Sequence, residues 1–280
     1  TDAPAGSGLP AGSTVVKGMG DFDQDGDTDL IAIENKTMPP VIYLNSGAGS
    51  FTRVANAISG IPAGNLTYSA WGTAVTTDFD NDGLPDIIMN GKYYLKLLRG
   101  TGAGHFAYMN AAWGIHDDCA CSVDDGLAFG DIDGDGDLDI IGYRETWPTR
   151  LIDVYRNDLP ARHWLRVRPI GRAGNRGAAG ARIRLYEPGT QQILWSEQVA
   201  LYCFQAANSY YGRAQTERHF GLDQRATVDG GVFSQPAGPA VRRNNVRADS
   251  VLLVSEPPAD ALFADGFESG DLSAWTASQP

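Results

Sequence analysis

Short apolar runs punctuate the first 158 residues at a regular interval. Leu30-Ile31-Ala32-Ile33, Ile87-Ile88-Met89 and Ile140-Ile141-Gly142-Tyr143 are too short for helices. They are rich in β-branched side chains, and each reads as a buried strand. Two of them follow small, alternating apolar segments, Trp71-Gly72-Thr73-Ala74-Val75 and Gly126-Leu127-Ala128-Phe129, which read as strands of their own. Glycine-rich turns come next, at Asn45-Ser46-Gly47-Ala48-Gly49-Ser50-Phe51 and Gly100-Thr101-Gly102-Ala103-Gly104-His105-Phe106. Such turns close hairpins and return an aromatic ring to the core. Further along, Trp164–Val167 and Ala181–Tyr186 alternate apolar with polar between Gly, Asn and Pro turns, as the strands of a β-sandwich-like module do.

Between the small strand and the buried strand the chain writes one acidic phrase three times. The copies are Asp21-Phe22-Asp23-Gln24-Asp25-Gly26-Asp27-Thr28-Asp29, Asp78-Phe79-Asp80-Asn81-Asp82-Gly83-Leu84-Pro85-Asp86 and Asp131-Ile132-Asp133-Gly134-Asp135-Gly136-Asp137-Leu138-Asp139. Each is D-x-D-x-D-G-x-x-D. Four carboxylates in nine residues repel one another unless a cation sits among them. Hard oxygen donors in a flexible shell select Ca²⁺, and the glycine at position six permits the turn around it. An EF-hand is excluded, because position twelve is Ala32, Met89 or Gly142 rather than a bidentate Glu. The expected ligands are the side chains at positions one, three, five and nine. These are Asp21, Asp23, Asp25 and Asp29; Asp78, Asp80, Asp82 and Asp86; and Asp131, Asp133, Asp135 and Asp139. The backbone carbonyl at position seven, from Asp27, Leu84 and Asp137, completes each set. About three Ca²⁺ ions are expected. The copies start 57 and 53 residues apart, and a period of about 50 residues with several short strands predicts β-propeller blades.

Charge follows from these loops. They hold five, four and five of the 34 acidic residues, and three calcium ions would halve the formal net charge of −12. There is no basic stripe to neutralise phosphates, so nucleic acid is excluded as a partner. Arg162, Arg166, Arg168, Arg172, Arg176, Arg182 and Arg184 do cluster, but their alternation in Arg166-Val167-Arg168 and Arg182-Ile183-Arg184 reads as the wet face of strands. The three cysteines are an odd count, and a bridge from Cys203 to Cys119 or Cys121 is expected in an oxidising compartment. No apolar stretch is long enough for a membrane span. Thr1–Gly6 reads as a trimmed start. His116-Asp117-Asp118 reads as a polar loop, and no nucleophile elbow or HExxH is present.

Ala128-Phe129-Gly130-Asp131-Ile132-Asp133-Gly134-Asp135-Gly136-Asp137-Leu138-Asp139, with Gly102-Ala103-Gly104-His105-Phe106, resembles the FG-GAP/VCBS repeats that form the blades of integrin-α-type propellers. The resemblance covers residues 14–158. His163-Trp164-Leu165-Arg166-Val167, Asn175-Arg176-Gly177-Ala178-Ala179-Gly180-Ala181-Arg182-Ile183 and His219-Phe220-Gly221-Leu222 resemble the ASPIC/UnbV domain of the cartilage-acidic-protein-like family of secreted proteins. Asp223 stands where that pattern has glycine. Phe233-Ser234-Gln235-Pro236-Ala237-Gly238 replaces its Trp-Pro-Ser-Gly type of turn, so the last third of that domain is expected to be irregular. Leu262–Trp275 resembles a C-terminal segment common in exported bacterial proteins.

The expectation is an all-β chain: a partial or truncated β-propeller of about three calcium-loop blades followed by a smaller β-sandwich-like domain. The boundaries are 1–158, 159–256 and a linker and tail over 257–280. Three blades do not close a seven-bladed ring, so blades upstream of Thr1 are expected to be missing. The expected function is a secreted or cell-surface bacterial binding or adhesion module with a protein or carbohydrate ligand and no catalysis. The alternative is a secreted calcium-dependent polysaccharide lyase or hydrolase.

Overall fold

The computed structural model describes residues 6–10, 14–34, 39–62, 73–91, 94–115, 127–146, 149–171, 178–199, 217–233 and 240–255. Cys119, Cys121, Cys203, His116 and the tail from 256 onward lie outside them. Every regular element among the described residues is a strand, and none of the five sheets closes into a barrel.

The first sheet is a meander of β1 (Val15–Gly20), β2 (Asp29–Ile33), β3 (Val41–Asn45) and β4 (Phe51–Arg53). The short strand β5 (Ile58–Ser59) then pairs in parallel with the outer strand of the next sheet. That sheet is a meander of β6 (Thr73–Thr77), β7 (Asp86–Gly91), β8 (Tyr94–Gly102) and β9 (His105–Tyr108). The third has β10 (Leu127–Gly130), β11 (Asp139–Thr146) and β12 (Thr149–Tyr155). These are three propeller-like blades. In each, an acidic loop joins the first strand to the second.

Why the second strands are continuous apolar runs is clear from the packing. On β7, Ile87 and Met89 pack with Ile31, Ile33 and Ile42 of the first blade, together with Phe22 and Phe106. Ile88, pointing the other way, packs with Leu95, Leu97 and Ile140 toward the third blade. A strand between two neighbours buries both faces, so hydrophobic alternation disappears. Phe106 after the second glycine turn is buried and meets Phe22 edge-on, with ring centroids 5.5 Å apart.

Seven strands follow: β13 (His163–Ile170), β14 (Arg182–Tyr186), β15 (Ile193–Gln198), β16 (Arg218–Asp223), β17 (Thr227–Phe233), β18 (Ala240–Arg247) and β19 (Ser250–Ser255). They form a three-stranded sheet, β16-β13-β19, and a four-stranded sheet, β15-β14-β17-β18. The two enclose one core that includes Leu165, Val167, Ile183, Leu185, Trp195, Phe220 and Leu222, which makes a sandwich. In its last third β17, β18 and β19 are strands, with a register shift in the β17–β18 pairing between Val228 and Gly230, while Ser234-Gln235-Pro236-Ala237-Gly238 lies outside the described residues. Asp223 takes up the left-handed backbone itself, at φ 53°, a conformation Asp tolerates better than most side chains, and the β13–β16 pairing shifts register beside it, between His163 and Trp164.

Candidate metal centres

The acidic loops fold by one local rule. The position-five amide donates to the position-three carboxylate, from Asp25 to Asp23, Asp82 to Asp80 and Asp135 to Asp133 at 3.3–3.4 Å. The position-seven amide donates to the position-five carboxylate, from Asp27 to Asp25, Leu84 to Asp82 and Asp137 to Asp135 at 2.8–3.0 Å. Aspartates at every second place build these Asx turns. The glycine amide at position six donates to Oδ2 at position one: Gly26 to Asp21, Gly83 to Asp78 and Gly136 to Asp131. Positions four and six are left-handed in every copy: Gln24, Asn81 and Gly134, then Gly26, Gly83 and Gly136.

The position-nine aspartate locks the loop to its blade. Oδ2 of Asp29, Asp86 and Asp139 accepts from the amides of Phe22, Phe79 and Ile132 at 2.7–2.8 Å. Oδ1 of each accepts from the third strand or its end, at Asn45, Gly100 and Asn157. All three are at most 1% exposed. Position nine was expected only as a ligand; its first role in the fold is this clamp.

The loops bring together Asp21, Asp23 and Asp29; Asp78, Asp80 and Asp82; and Asp131, Asp133 and Asp139. Within each group one oxygen per residue lies within 4.8 Å of the others. Asp25, Asp86 and Asp135 are not in these groups. At position seven, the carboxylate of Asp137 accepts from Asn81 Nδ2 at 2.6 Å, and that of Asp27 lies against Gly47.

The donors fit a hard cation. Asp21 Oδ1 is buried with no hydrogen-bond partner among the described residues, an expensive state for a carboxylate oxygen that a cation would relieve. Burial first, then the nearby Asp29 and Asp25 carboxylates, push the Asp21 pKa up to about 7. Burial raises Asp29 to about 6, and it lifts Asp78 and Asp86 well above the usual range with neighbouring aspartates adding to it.

Sequence reasoning missed what covers the loops. The second domain sits on all three. At the first, the Gly26 carbonyl accepts from Arg182 Nη1 at 2.5 Å, and Gln24 Nε2 reaches the Leu194 and Gly83 carbonyls. At the second, the Asn81 carbonyl accepts from the Asp223 amide at 2.9 Å, and Asn81 Oδ1 lies 2.7 Å from His219 Nε2. Burial, with Arg166 nearby, lowers the His219 pKa to about 3, so its ring is neutral and Nε2–H is the donor. At the third, Arg166 Nη2 meets Asp131 Oδ2 at 2.9 Å, while its guanidinium lies 4.5 Å from the Trp164 ring centre. Arg166 and Arg182, expected on wet strand faces, are therefore docking residues. Their alternation marked the strand correctly but could not show that this face meets a carboxylate 35 residues away, at Asp131, and a backbone carbonyl 156 residues away, at Gly26. Beside the third loop, Asp135, Arg162, His163, Trp164, Asp223 and Asp249 line an open groove of about 460 Å³. In it, His163 Nδ1 lies 2.8 Å from Asp249 Oδ2.

Fold and loops together define an all-β protein of propeller-like blades with acidic turns, capped by a β-sandwich. Residues 21–89 and 78–142 match the FG-GAP-like repeat, and residues 171–261 match ASPIC and UnbV. The chain is thus built of FG-GAP-like repeats followed by an ASPIC/UnbV domain. No curated protein matches it. One similar solved structure is that of an Agrocybe aegerita lectin described as recognising non-reducing terminal N-acetylglucosamine, at 15% identity and a TM-score of 0.31. The alignment covers 81% of this chain, and the chain spans about half (52%) of that structure.

Proposed function

We propose that the chain is an extracellular calcium-binding repeat protein that acts as a binding or adhesion module without catalysis. FG-GAP-like repeats are typical of extracellular proteins. No helix among the described residues is long and apolar enough to cross a membrane. The observation that carries the reading is the threefold convergence of aspartate oxygens, with the partnerless Oδ1 of Asp21 in the first loop beside it. Bound calcium would offset the mutual repulsion of the aspartates in each loop. Asp21, Asp78 and Asp131 with their position-three partners would hold it, while the position-nine clamps keep each loop on its blade. Isothermal titration of chelator-stripped protein should find about three equivalents, with magnesium much weaker because it demands a tighter octahedral shell. Zero or one equivalent would refute the reading.

A secreted calcium-dependent polysaccharide lyase or hydrolase is the second reading. The groove at the third loop favours it, because it sets a histidine–carboxylate pair and the Trp164 ring beside open space. Cleavage of a polysaccharide that His163→Ala abolishes would support it. No cleavage across a panel of neutral and acidic polysaccharides would sink it.

A further inference from the structure

The three loops share one backbone design but not one set of counter-charges. Hydrogen bonds to the position-nine aspartates put Asn45, Gly100 and Asn157 in register. The residues just before them, Leu44, Arg99 and Arg156, are therefore equivalent. In the first blade this place is apolar, and Leu44 packs at the margin of the inter-blade core. In the third, Arg156 is 60% exposed, keeps Asp158 at 2.8 Å and reaches Asp133 only at 3.9 Å. In the second, Arg99 turns onto the loop. Its Nε lies 2.6 Å from Asp80 Oδ2, and its Nη2 meets Asp82 Oδ2. A second guanidinium arrives from the segment joining the blades to the sandwich: Arg162 Nη1 lies 3.1 Å from Asp80 Oδ2 and 2.7 Å from the Asp80 carbonyl. Asp80 and Asp82 are the position-three and position-five carboxylates, and both are shielded from solvent, at 8% and 7% side-chain exposure. Among the described residues the third loop has a single close arginine, Arg166 on Asp131.

We propose that the middle loop, residues 78–86, is compensated from within by Arg99 and Arg162, so that calcium fills the loops at 21–29 and 131–139 first. Calcium enters the middle loop only by displacing these guanidiniums. This inference rests on the reading that the loops take calcium. Two charges cannot share the same carboxylate oxygens at full strength, and a guanidinium left beside a bound Ca²⁺ repels it across a few ångströms of partly buried space. Because Arg162 belongs to the connection into β13, filling the middle loop also exchanges a tie between blades and sandwich for an ion.

The test is calorimetric calcium titration of the full chain and of Arg99→Leu, which places the first blade's residue in the second. The wild type should show two tight equivalents and a third at least tenfold weaker. Arg99→Leu should tighten the third at least tenfold, and Arg162→Gln should move it the same way. Arg156→Leu, at the exposed equivalent, should leave it within about twofold. If Arg99→Leu does not fold, Arg99→Gln, which keeps a polar side chain and removes the charge, takes its place with the same expected shift. Three equal sites in the wild type, or a weak site that neither arginine substitution tightens, would overturn the inference while leaving the calcium reading intact. Absence of calcium binding to any of these proteins would instead overturn the calcium reading.

Discussion

Two aspartates of one loop do different work, and substitution separates them. Asp139 is fully buried, with both oxygens accepting backbone amides, from Ile132 and Asn157. Hydrogen bonds to a charged acceptor contribute about 1.5–3 kcal/mol each. Asp139→Ala should therefore lower stability by roughly 3 kcal/mol or more, in calcium and in chelator alike. Asp133 converges with Asp131 and accepts the Asp135 amide in a local turn. Asp133→Ala should lower the melting temperature in millimolar calcium and change little in chelator, because bound ligand adds about 2.7 kcal/mol per site at roughly 100-fold over Kd. Equal losses with and without calcium would show that Asp133 acts through turn geometry alone. The raised carboxyls set a pH dependence. Asp21 moves from 3.8 to about 7 and Asp29 from 3.8 to about 6. A carboxyl whose folded pKa exceeds its unfolded one binds protons more tightly when folded. Its stabilising contribution is complete below about pH 4 and is lost as pH rises through about 7. In chelator the melting temperature should fall between pH 5 and pH 8, and calcium should abolish that fall. A flat chelator profile would contradict the burial of these groups. Legibility at this scale was uneven. The aspartate spacing was plain, since each Asx turn needs an acceptor two residues back. The position-nine clamp was hidden, because its partners lie on another strand, 14–18 residues away.

Among the strands, register explains which apolar residues matter. Ile88 pairs with Leu97 as Ile141 pairs with Val154, so Leu95 and Leu97 of the second blade correspond to Ile152 and Val154 of the third. Leu95 and Leu97 are at most 2% exposed, whereas Ile152 and Val154 are 74% and 57% exposed. Leu97→Ala should cost about 2–5 kcal/mol through a cavity between blades. Val154→Lys should stay within about 0.5 kcal/mol, as substitutions on an open face do. Denaturant melts of the two variants check this, and a large loss from Val154→Lys would mean that the face is covered in solution. The sequence showed the strands well, from Leu30–Ile33 to Ile140–Tyr143, because short β-branched runs between turns have few other homes. It could not separate Leu97 from Val154, since both are apolar residues in strand and only the neighbouring blade makes one of them core.

At the scale of the whole molecule, the sandwich lies against the loops so closely that glycine is required at the contact. A Cβ on Gly221 would sit 2.0 Å from Asp78 Oδ2 and 2.5 Å from the Asn81 backbone. One on Gly136 would come within 1.8 Å of the Trp164 indole nitrogen. The Gly221 backbone is not left-handed, so Gly221→Ala tests contact rather than conformational strain. It should cost about 1–3 kcal/mol and weaken calcium binding at the middle loop. An unchanged melting temperature and affinity would show that the two parts do not touch there. The order of the parts was legible from motif and period. Their mutual packing was not, because Arg166, His219 and Gly221 read as ordinary strand residues until the third dimension sets them on the aspartates. The central claim is that calcium sits in all three loops. Long-wavelength anomalous diffraction from a crystal grown in excess calcium tests it most directly. The account predicts one anomalous peak in each loop, among Asp21 and Asp23, among Asp78, Asp80 and Asp82, and among Asp131 and Asp133. Ordered loops with no peak, or peaks confined to other parts of the molecule, would contradict it.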